Sequence, residues 1–357
     1  MQMKDKKEKC FGCTACMTVC SNHAIRMVPD SEGFLYPFTD PEKCTQCGQC
    51  SNICPENGGN APQKAMAFYS GNRELIKKSS SGGAFSSLAD LFLADHPEGY
   101  IYGAVFSREM EVIHEGVQGK KEELFCGSKY VESDLGNCFS DIEAVLEQGE
   151  QVLFAGTPCQ VAALNTITKH REQLLLIDLI CDGVGSPAVW KRYLTFYEER
   201  NHAKVTAFSF RNKYFPYGRG VKIKDENGNT VEKSHGKDLY TKMYMSGLIC
   251  RPSCYSCPFT DTRRVSDITI GDFHGLEEME TQFSEFPVSL VLTHTSKGEQ
   301  YAERIQKAGR TDFFPMESCL QPRLLEPVKK SLLRNFIVKD YLTLSEEAFL
   351  ARYKMLL

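Results

Sequence analysis

The sequence predicts a small α+β domain at the N-terminus and a larger α/β domain with a mixed sheet behind it. Two matching runs of four cysteines flank a hairpin-like segment within residues 10–54. Segment 55–63, PENGGNAPQ, has the Pro, Gly and Asn content of a linker. Two successive strand–loop–helix patterns then occur between 151 and 197, and such patterns are typical of α/β units. We therefore divide the chain into 1–60, two parts of the larger domain at 65–148 and 149–300, and a helical C-terminal segment at 301–357.

Eight of the sixteen cysteines form an internal repeat, in which Cys44 follows Cys10 by 34 positions. The runs CFGCTACMTVC and CTQCGQCSNIC share the spacing C-x-x-C-x-x-C-x-x-x-C. Three thiolates at this spacing wrap one iron–sulfur cluster, and the fourth cysteine reaches the other cluster. The two predicted 4Fe–4S clusters therefore take Cys10, Cys13, Cys16 and Cys54, and Cys44, Cys47, Cys50 and Cys20. Zinc knots are the alternative, although zinc ribbons usually pair two C-x-x-C hooks.

The other elements follow from local patterns. AIRMVPDSEGFLYP suits a hairpin with its turn at 30–33, and VKIKDENGNTVEK suits another with Asn227 and Gly228 in the turn. AMAFY and YIYGAVF predict strands, FSDIEAVLEQGE predicts a helix, and LLLIDLIC predicts one buried strand. SSSGGAFSSLADLFLAD predicts a loop that leads into a helix. The apolar face of that helix holds Phe85, Leu88, Ala89, Phe92 and Leu93.

A second set of cysteines lies in the larger domain. Cys254 and Cys257 form a C-x-x-C hook, and Cys250 precedes them by four positions. Cys159 and Cys181 each follow a predicted strand, at the edge where α/β sheets bind ligands, so they are the best-placed partners. Four such thiolates suit either zinc or a third 4Fe–4S cluster, with the fourth ligand open between Cys181 and Cys250. The isolated cysteines are interpreted as packing residues: Cys126, Cys138 and Cys319.

Two other roles for these cysteines are weaker. Cys159 could be a nucleophile, but no nearby histidine forms a recognisable dyad with it. The C-x-x-C hook could be a redox disulfide, but no thioredoxin pattern precedes it.

Composition and charge exclude several classes of function. The formal net charge is −4 and the charges are interspersed, so nothing supports nucleic-acid binding. No apolar run approaches the ~18–20 residues of a membrane span, and the charged N-terminus lacks an apolar signal core. We therefore expect a cytoplasmic protein whose cysteines serve metal or redox chemistry. The G-x-G-x-x-G and Walker A patterns are absent from the sequence.

Five motifs occur in a fixed order and carry a family resemblance: SSSGGAFSSL, CGSKYV, AGTPCQVAAL, DLICDGV and CRPSCYSCPF. In this combination the chain resembles the coenzyme F₄₂₀ hydrogenase/dehydrogenase beta-subunit family, fused behind a region that resembles bacterial-type two-cluster ferredoxins. The resemblance implies a ferredoxin-like N-terminal domain and an α/β flavin/iron–sulfur domain with a mixed sheet. It also implies FAD held by Ser81, Gly82, Gly83, Gly127, Ser128, Lys129 and Tyr130. Gly156, Thr157 and Pro158 would face the isoalloxazine ring, with cluster thiolates at Cys159, Cys254 and Cys257.

The function that this resemblance implies is an iron–sulfur flavoprotein oxidoreductase. It would relay electrons, in either direction, between a one-electron donor, such as ferredoxin or another redox protein, and a small-molecule two-electron acceptor, through 4Fe–4S clusters and FAD. F₄₂₀ is one possible substrate, and no residue identifies the acceptor or a catalytic side chain. The alternatives are an electron-transfer subunit of a larger redox complex without its own substrate, and a non-redox module with structural zinc. Four charged residues are open between binding FAD or substrate and forming ion pairs: Arg263, Arg264, Asp267 and Asp272.

Overall fold

The computed structural model describes residues 7–119, 122–279, 281–283 and 287–353. The outer ends of the predicted divisions 1–60 and 301–357 therefore lie outside the described residues. Thirteen strands occur in the described part of the chain: β1 (Ile25–Pro29), β2 (Leu35–Thr39), β3 (Lys64–Ser70), β4 (Tyr100–Phe106), β5 (Val112–Gln118), β6 (Val152–Gly156), β7 (Leu174–Leu179), β8 (Val205–Ser209), β9 (Gly220–Asp225), β10 (Thr230–Ser234), β11 (Ile268–Asp272), β12 (Ser289–Thr293) and β13 (Gly309–Phe313).

Twelve α-helices accompany them in the same described ranges: α1 (Ala15–Thr18), α2 (Gln49–Asn52), α3 (Arg73–Lys78), α4 (Ala84–Asp95), α5 (Cys138–Glu147), α6 (Pro158–Ile167), α7 (Pro187–Asn201), α8 (Leu239–Met245), α9 (Ser296–Ile305), α10 (Pro322–Leu325), α11 (Arg334–Thr343) and α12 (Glu346–Tyr353). None of the helices described here is long and apolar enough to cross a membrane.

The N-terminal module is built on the predicted hairpin. Strands β1 and β2 pair antiparallel, with Ile25 opposite Thr39. The Gly33 N–H donates to the Asp30 carbonyl over 3.0 Å and closes the turn at 30–33. The short helices α1 and α2 each contain the third cysteine of one run. The hairpin prediction is therefore confirmed.

The larger domain is organised by an eight-stranded mixed sheet, in the order β13-β3-β12-β11-β7-β6-β4-β5. The four strands β4, β6, β7 and β11 are parallel neighbours. Antiparallel strands extend this core on both sides. The predicted mixed sheet is confirmed, and the parallel strands place the turns after β6 and β7 at one edge of the sheet.

The buried strand β7 shows why its sequence is apolar without alternation. Leu175 and Ile177 pack on one face, in the same apolar cluster as Leu88 of α4 and Tyr301 of α9. Leu174 and Leu176 pack on the other face, with residues of α5 and α6. Because helices cover both faces, both sets of side chains are buried, as is typical of parallel strands.

A smaller three-stranded sheet, in the order β10-β9-β8, packs beside helices α7 and α8. Its hairpin turns where the sequence predicts, since the Gly228 N–H donates to the Asp225 carbonyl over 3.1 Å. Trp190 lies in this core and donates from Nε1 to the Met110 carbonyl over 2.6 Å.

The expectation of a wholly helical segment at 301–357 is wrong in one respect. Strand β13 lies within it and pairs antiparallel with β3, with Thr311 opposite Phe68. Without β13, the outer edge of β3 would leave backbone N–H and C=O groups unpaired. The run GRTDF has no clear apolar alternation, so the local pattern gives little sign of a strand.

Candidate iron–sulfur site

The repeat of the two cysteine runs is also a repeat of backbone conformation. Gly12 and Gln46 occupy the same position in the two runs and have φ values of +66° and +57°. Thr14 and Gly48 occupy a second shared position and have φ values of +58° and +78°. Each run thus has two left-handed residues between its first three cysteines, and these curl the chain tightly at the position expected for a cluster.

Cysteines of both runs lie near Cys16. Burial is the main cause that raises the pKa of Cys16 to about 12, and the neighbouring thiolates of Cys10, Cys54 and Cys50 contribute. Burial also raises the pKa of Cys13, with smaller contributions from Cys16 and Cys10. Cys54 of the second run therefore lies near Cys16 of the first run, and so does Cys50, which is predicted to bind the other cluster.

The segment after Cys20 contacts the second cysteine run. Cys20 accepts a hydrogen bond at Sγ from the Ala24 N–H over 3.3 Å. Two residues after Cys20, Asn22 donates from Nδ2 to Thr45 Oγ1 over 2.9 Å, which ties this segment to the second run. Exposure does not separate the two predicted sets, since Cys47 of the second set and Cys54 of the first set are both exposed.

The second set of cysteines surrounds one cavity at the edge of the large sheet. Four thiols line it: Cys159, Cys181, Cys254 and Cys257. Burial, with a contribution from the nearby Cys257 thiolate, raises the pKa of Cys159 to about 12. The pKa of Cys181 is raised by burial and then by its neighbours Cys159 and Cys257. All four are free of disulfides, so the donor set fits an iron–sulfur cluster.

Cys250 does not line that cavity. It is buried in an apolar cluster with Tyr240 and Ile249, and burial followed by the Asp182 carboxylate raises its pKa to about 12. Among the described residues no three His, Cys, Asp or Glu side chains stand close enough to hold a single metal ion. The thiolates of a 4Fe–4S cluster bind different iron atoms. Of the two candidates for the fourth cluster ligand, Cys181 lines the cavity and Cys250 does not.

The turn after β6 fixes the position of Cys159. The Thr157 N–H donates to Gln160 Oε1 over 2.9 Å, which caps the start of α6. A Cβ on Gly156 would lie 2.9 Å from the Phe154 ring, so the turn requires glycine there. Thr157 Oγ1 lies 3.2 Å from Cys159 Sγ, and Thr157 and Pro158 line the cavity.

The two segments expected to hold FAD contact each other. The Ser128 N–H donates to Ser80 Oγ over 2.7 Å. Ser81 Oγ is buried and has no hydrogen-bond partner among the described residues. Gly83 and Gly127 have φ values of +84° and +82°, which favour glycine. This arrangement could hold an anionic group against backbone N–H groups at the start of α4.

Two partly buried lysines adjoin these segments. Lys129 donates from Nζ to the Phe125 and Cys126 carbonyls over 3.2 and 3.1 Å, and burial lowers its pKa to about 8. Lys213, which the sequence does not single out, donates to the Ser81 carbonyl over 2.8 Å. Burial also lowers the pKa of Lys213 to about 8.

Tyr130 has a different environment from the rest of the GSKY motif. Its ring stacks on Tyr244 with centroids 4.6 Å apart, and its carbonyl accepts from the Tyr240 hydroxyl over 2.8 Å. The side chain therefore contributes to an aromatic core.

The four charged residues left open form ion pairs. Arg264 lies 3.3 Å from Asp178, and Asp267 pairs with Arg171 over 2.9 Å. Asp272 pairs with Arg211 over 2.6 Å, and Arg263 pairs with Asp261 over 2.8 Å. These contacts favour the ion-pair interpretation.

Two of the three isolated cysteines lie in apolar clusters, and the third contacts a serine hydroxyl. Cys138 and Cys319 are buried in apolar clusters, as expected for packing residues. Cys126 lies with Sγ 3.2 Å from Ser86 Oγ.

The N-terminal module meets the cavity through its first cysteine run. The Cys159 thiolate is among the neighbours that raise the pKa of Cys13, after burial. Phe11 lines the cavity, and its ring packs on Phe259 with centroids 5.3 Å apart. The first predicted cluster site and the cavity are therefore adjacent.

Arg251 lies at this junction, and sequence reasoning missed it. Its side chain is 1% exposed and pairs with Glu132 over 2.6 Å. It also donates from Nε to the Cys10 carbonyl over 2.7 Å. The one local signal is its position directly after Cys250, and a lone arginine is usually a surface residue.

Comparisons with known proteins match both parts of the chain. Residues 149–318 match the family model for the C terminus of the coenzyme F₄₂₀ hydrogenase/dehydrogenase beta subunit, and residues 9–57 match a 4Fe–4S dicluster domain. The first range contains all four cysteines of the cavity, and the second contains all eight of the repeat.

Two ferredoxin-type proteins of Methanocaldococcus jannaschii match the N-terminal region. A polyferredoxin-like protein is 35% identical over 57 residues, which is 14% of this chain and 34% of that protein. A ferredoxin is 37% identical over 51 residues, which is 14% of this chain and 65% of that protein. The chain thus spans less than two thirds of the length of either relative.

A chain of the xenon-derivatised F₄₂₀-reducing nickel–iron hydrogenase complex from Methanosarcina barkeri aligns with a TM-score of 0.49. The sequence identity is 15%, and the alignment covers 83% of this chain and 94% of that one.

Proposed function

We propose that this protein is an iron–sulfur flavoprotein oxidoreductase, because residues 149–318 match the coenzyme F₄₂₀ hydrogenase/dehydrogenase beta-subunit model and residues 9–57 match a 4Fe–4S dicluster domain. It relays electrons between a one-electron donor and a two-electron organic acceptor. The observation that carries this proposal is that the first cysteine run adjoins the cysteine cavity: Phe11 lines the cavity, and Arg251, which also lines it, donates from Nε to the Cys10 carbonyl over 2.7 Å. A module fused only as a structural appendage would not need its cysteine run at this cavity.

The proposed third cluster is held by the cavity thiolates: Cys159, Cys181, Cys254 and Cys257. The cap of α6 fixes Cys159, and a short 3-10 turn over Pro252–Ser256 positions the hook that contains Cys254. The two elements are far apart in the sequence, so the four thiols come together only when the domain is folded. Four thiolates without a histidine favour a cluster or a zinc site, and iron analysis separates the two.

The proposed FAD site lies at the segments joined by Ser80 and Ser128. The unpaired Ser81 hydroxyl and the partly buried ammonium groups of Lys129 and Lys213 suit a diphosphate. Bound FAD would couple one-electron carriers to a two-electron acceptor, which clusters alone do not do. Gly156, Thr157 and Pro158 are proposed to face its ring.

The electron donor is proposed from the exposure of one cysteine, and the electron acceptor from the name of the matching family. Cys47 is exposed, so a ferredoxin or another redox protein could approach the second predicted cluster at this residue. The acceptor is a small molecule, and F₄₂₀ is proposed first because the matching family is named for it.

Metal and flavin content tests the proposal directly. Protein purified under anaerobic conditions should contain about twelve iron atoms and one FAD, because each of three sites holds a 4Fe–4S cluster. Iron, zinc and flavin are measured on the same sample. About eight iron atoms, with zinc and no flavin, would contradict both the third cluster and the FAD.

Variants of single cysteines test the ligand set of the third cluster. We expect Cys181→Ala to lose the electron paramagnetic resonance signal of one reduced cluster and about four iron atoms. Cys250→Ala should keep both, because Cys250 is outside the cavity. Cys138→Ala is the control for loss of a buried thiol elsewhere. The reverse result for Cys181 and Cys250 would contradict the assignment.

One observation favours the second candidate, an electron-transfer subunit that docks onto a catalytic partner. The C-terminal segment that contributes Arg323 and Val328 to the cavity lining also has three strongly exposed apolar side chains: Leu325, Leu332 and Phe336. Exposed apolar clusters mark interaction sites. Purification from the native host distinguishes the candidates, since a stoichiometric redox subunit would favour the second and its absence the first.

A further inference from the structure

Arg251 is buried between the first cysteine run and the cavity of the second cysteine set. We propose that Arg251 is a positioning residue that sets the reduction potential of the cluster bound by Cys10. It does so by donating a hydrogen bond to the Cys10 thiolate while holding the loop of this cysteine against the cavity. The inference rests on the proposed function, because it requires a cluster at Cys10.

The guanidinium group of Arg251 donates four hydrogen bonds across the junction. Nε donates to the Cys10 carbonyl over 2.7 Å, and Nη2 donates to the Leu35 carbonyl over 2.8 Å. Nη1 donates to Glu132 Oε1 over 2.6 Å. Nη2 also lies 3.7 Å from Cys10 Sγ, within hydrogen-bond distance for sulfur. One side chain therefore contacts the run, the hairpin and the larger domain.

The backbone of Arg251 links this group to the cavity. Its N–H donates to the Val184 carbonyl over 3.0 Å, and both residues line the cavity with Cys181 and Cys254. On the other side, the ring of Tyr36 lies 4.3 Å from the guanidinium. The position of the charge is thus fixed from several directions, as preorganised electrostatics requires.

The direction in which Arg251 changes the reduction potential follows from its positive charge. Reduction of the cluster adds one electron, with no bond formed or broken, and the electron then passes on to the third cluster beside Cys159. A positive charge and an N–H donor at a ligand sulfur stabilise the more negative, reduced state. Arg251 therefore raises the reduction potential, while the neighbouring Glu132 carboxylate lowers it.

A second buried arginine provides a control that distinguishes an effect on the reduction potential from docking of the module alone. Arg334 also ties the larger domain to the hairpin, through a bidentate contact with Glu32 at 2.7 and 2.6 Å. It donates to the Cys250 carbonyl but to no cysteine sulfur. If Arg251 only docks the module, replacing either arginine should have the same effect.

The test is a redox titration followed by electron paramagnetic resonance on the full chain, with iron measured in each sample. We expect Arg251→Gln to lower the potential of one cluster by at least a tenfold change in its reduction equilibrium, about 59 mV for one electron. Arg251→Lys keeps the charge and loses the forked contacts, so it should give a smaller decrease. Glu132→Gln should raise the same potential, and Arg334→Lys should leave it unchanged.

Each outcome decides the inference. Retained iron with no shift in Arg251→Gln overturns it, and so does an equal shift in Arg334→Lys. If Arg251→Gln does not fold, Glu132→Gln decides, because only a charge effect raises the potential. Wild-type protein that lacks the cluster at Cys10 would instead overturn the proposed function and the inference with it.

Discussion

Gly12 and Gln46 show how the same backbone position can carry different constraints. Both residues have positive φ values at the same point of the two cysteine runs. Gln46 is exposed, and its side chain is tolerated there. A Cβ on Gly12, however, would lie 2.7 Å from Nη1 of Arg251. Glycine at position 12 therefore reflects the close approach of Arg251 as well as the conformation.

We predict that Gly12→Ala lowers the free energy of unfolding by about 1–2 kcal/mol for the left-handed conformation, and further because it displaces Arg251. Gly48→Ala is the matched control, since Gly48 has a φ of +78° and nothing within 4 Å of the added Cβ. Urea unfolding under anaerobic conditions measures both. Equal losses in the two variants would contradict a role for the contact with Arg251.

At the scale of elements, the end of β12 is held by a buried histidine. His294 follows β12 and lies with Nε2 2.9 Å from Thr269 Oγ1 of β11. Its Nδ1 lies 3.2 Å from the carbonyl of Asn60, in the linker between the two parts of the chain. Burial, with a contribution from the nearby Arg264, lowers the pKa of His294 to about 4, while Asp267 opposes the shift.

This pKa predicts a loss of stability in mild acid. Between pH 6.5 and pH 4 the unfolded chain binds a proton at His294 that the folded chain does not. The free energy of unfolding therefore falls as the pH falls, by up to about 1.4 kcal/mol per pH unit for this group. We expect His294→Gln to show a shallower dependence in this window, measured by denaturant unfolding at several pH values.

The exposed His274 supplies the control for this experiment. His274→Gln should keep the slope of the wild-type protein. Burial also lowers the pKa of His114 to about 4, so this residue makes the free energy of unfolding fall as the pH falls, equally in every variant. Burial raises the pKa of Asp178 to about 6, so this residue has the opposite effect on the free energy of unfolding, again equally in every variant. An unchanged slope in His294→Gln would show that His294 is already protonated in the folded protein.

Elements with strong local signals could be predicted, and long-range contacts could not. The turn at 30–33, the buried strand β7 and the cysteine runs each follow from residues within a few positions of one another. Strand β13 has a weak pattern and depends on the open edge of β3. Arg251 contacts Cys10 across 241 positions of sequence, and no periodicity records such a contact. The residues that join the two cysteine sets were therefore visible only in the structure.

At the scale of the whole molecule, the hairpin turn docks the N-terminal module onto the larger domain. The Glu32 carbonyl accepts from Ser186 Oγ over 2.6 Å and from the Ala188 N–H over 3.1 Å. Its carboxylate pairs with Arg334, whose side chain is 4% exposed. Asn60 of the linker exchanges backbone hydrogen bonds of 2.8 and 2.9 Å with Arg264. These contacts hold the first cysteine run next to the cavity.

We predict that Arg334→Met loosens this docking and exposes the linker at 55–63 to proteases. Removing one partner of a buried ion pair leaves the Glu32 carboxylate uncompensated, at a cost of about 3 kcal/mol. Adding Glu32→Gln should cost less than the sum of the two single changes, because both remove the same contact.

Arg352→Met is the control for this experiment. It breaks an ion pair with Asp340 that is exposed on the arginine side, so it should change the free energy of unfolding by about 1 kcal/mol or less. Limited proteolysis under anaerobic conditions should cut the linker faster in Arg334→Met than in Arg352→Met. Equal rates of cleavage would mean that Arg251 and the linker contacts hold the module without help from Arg334.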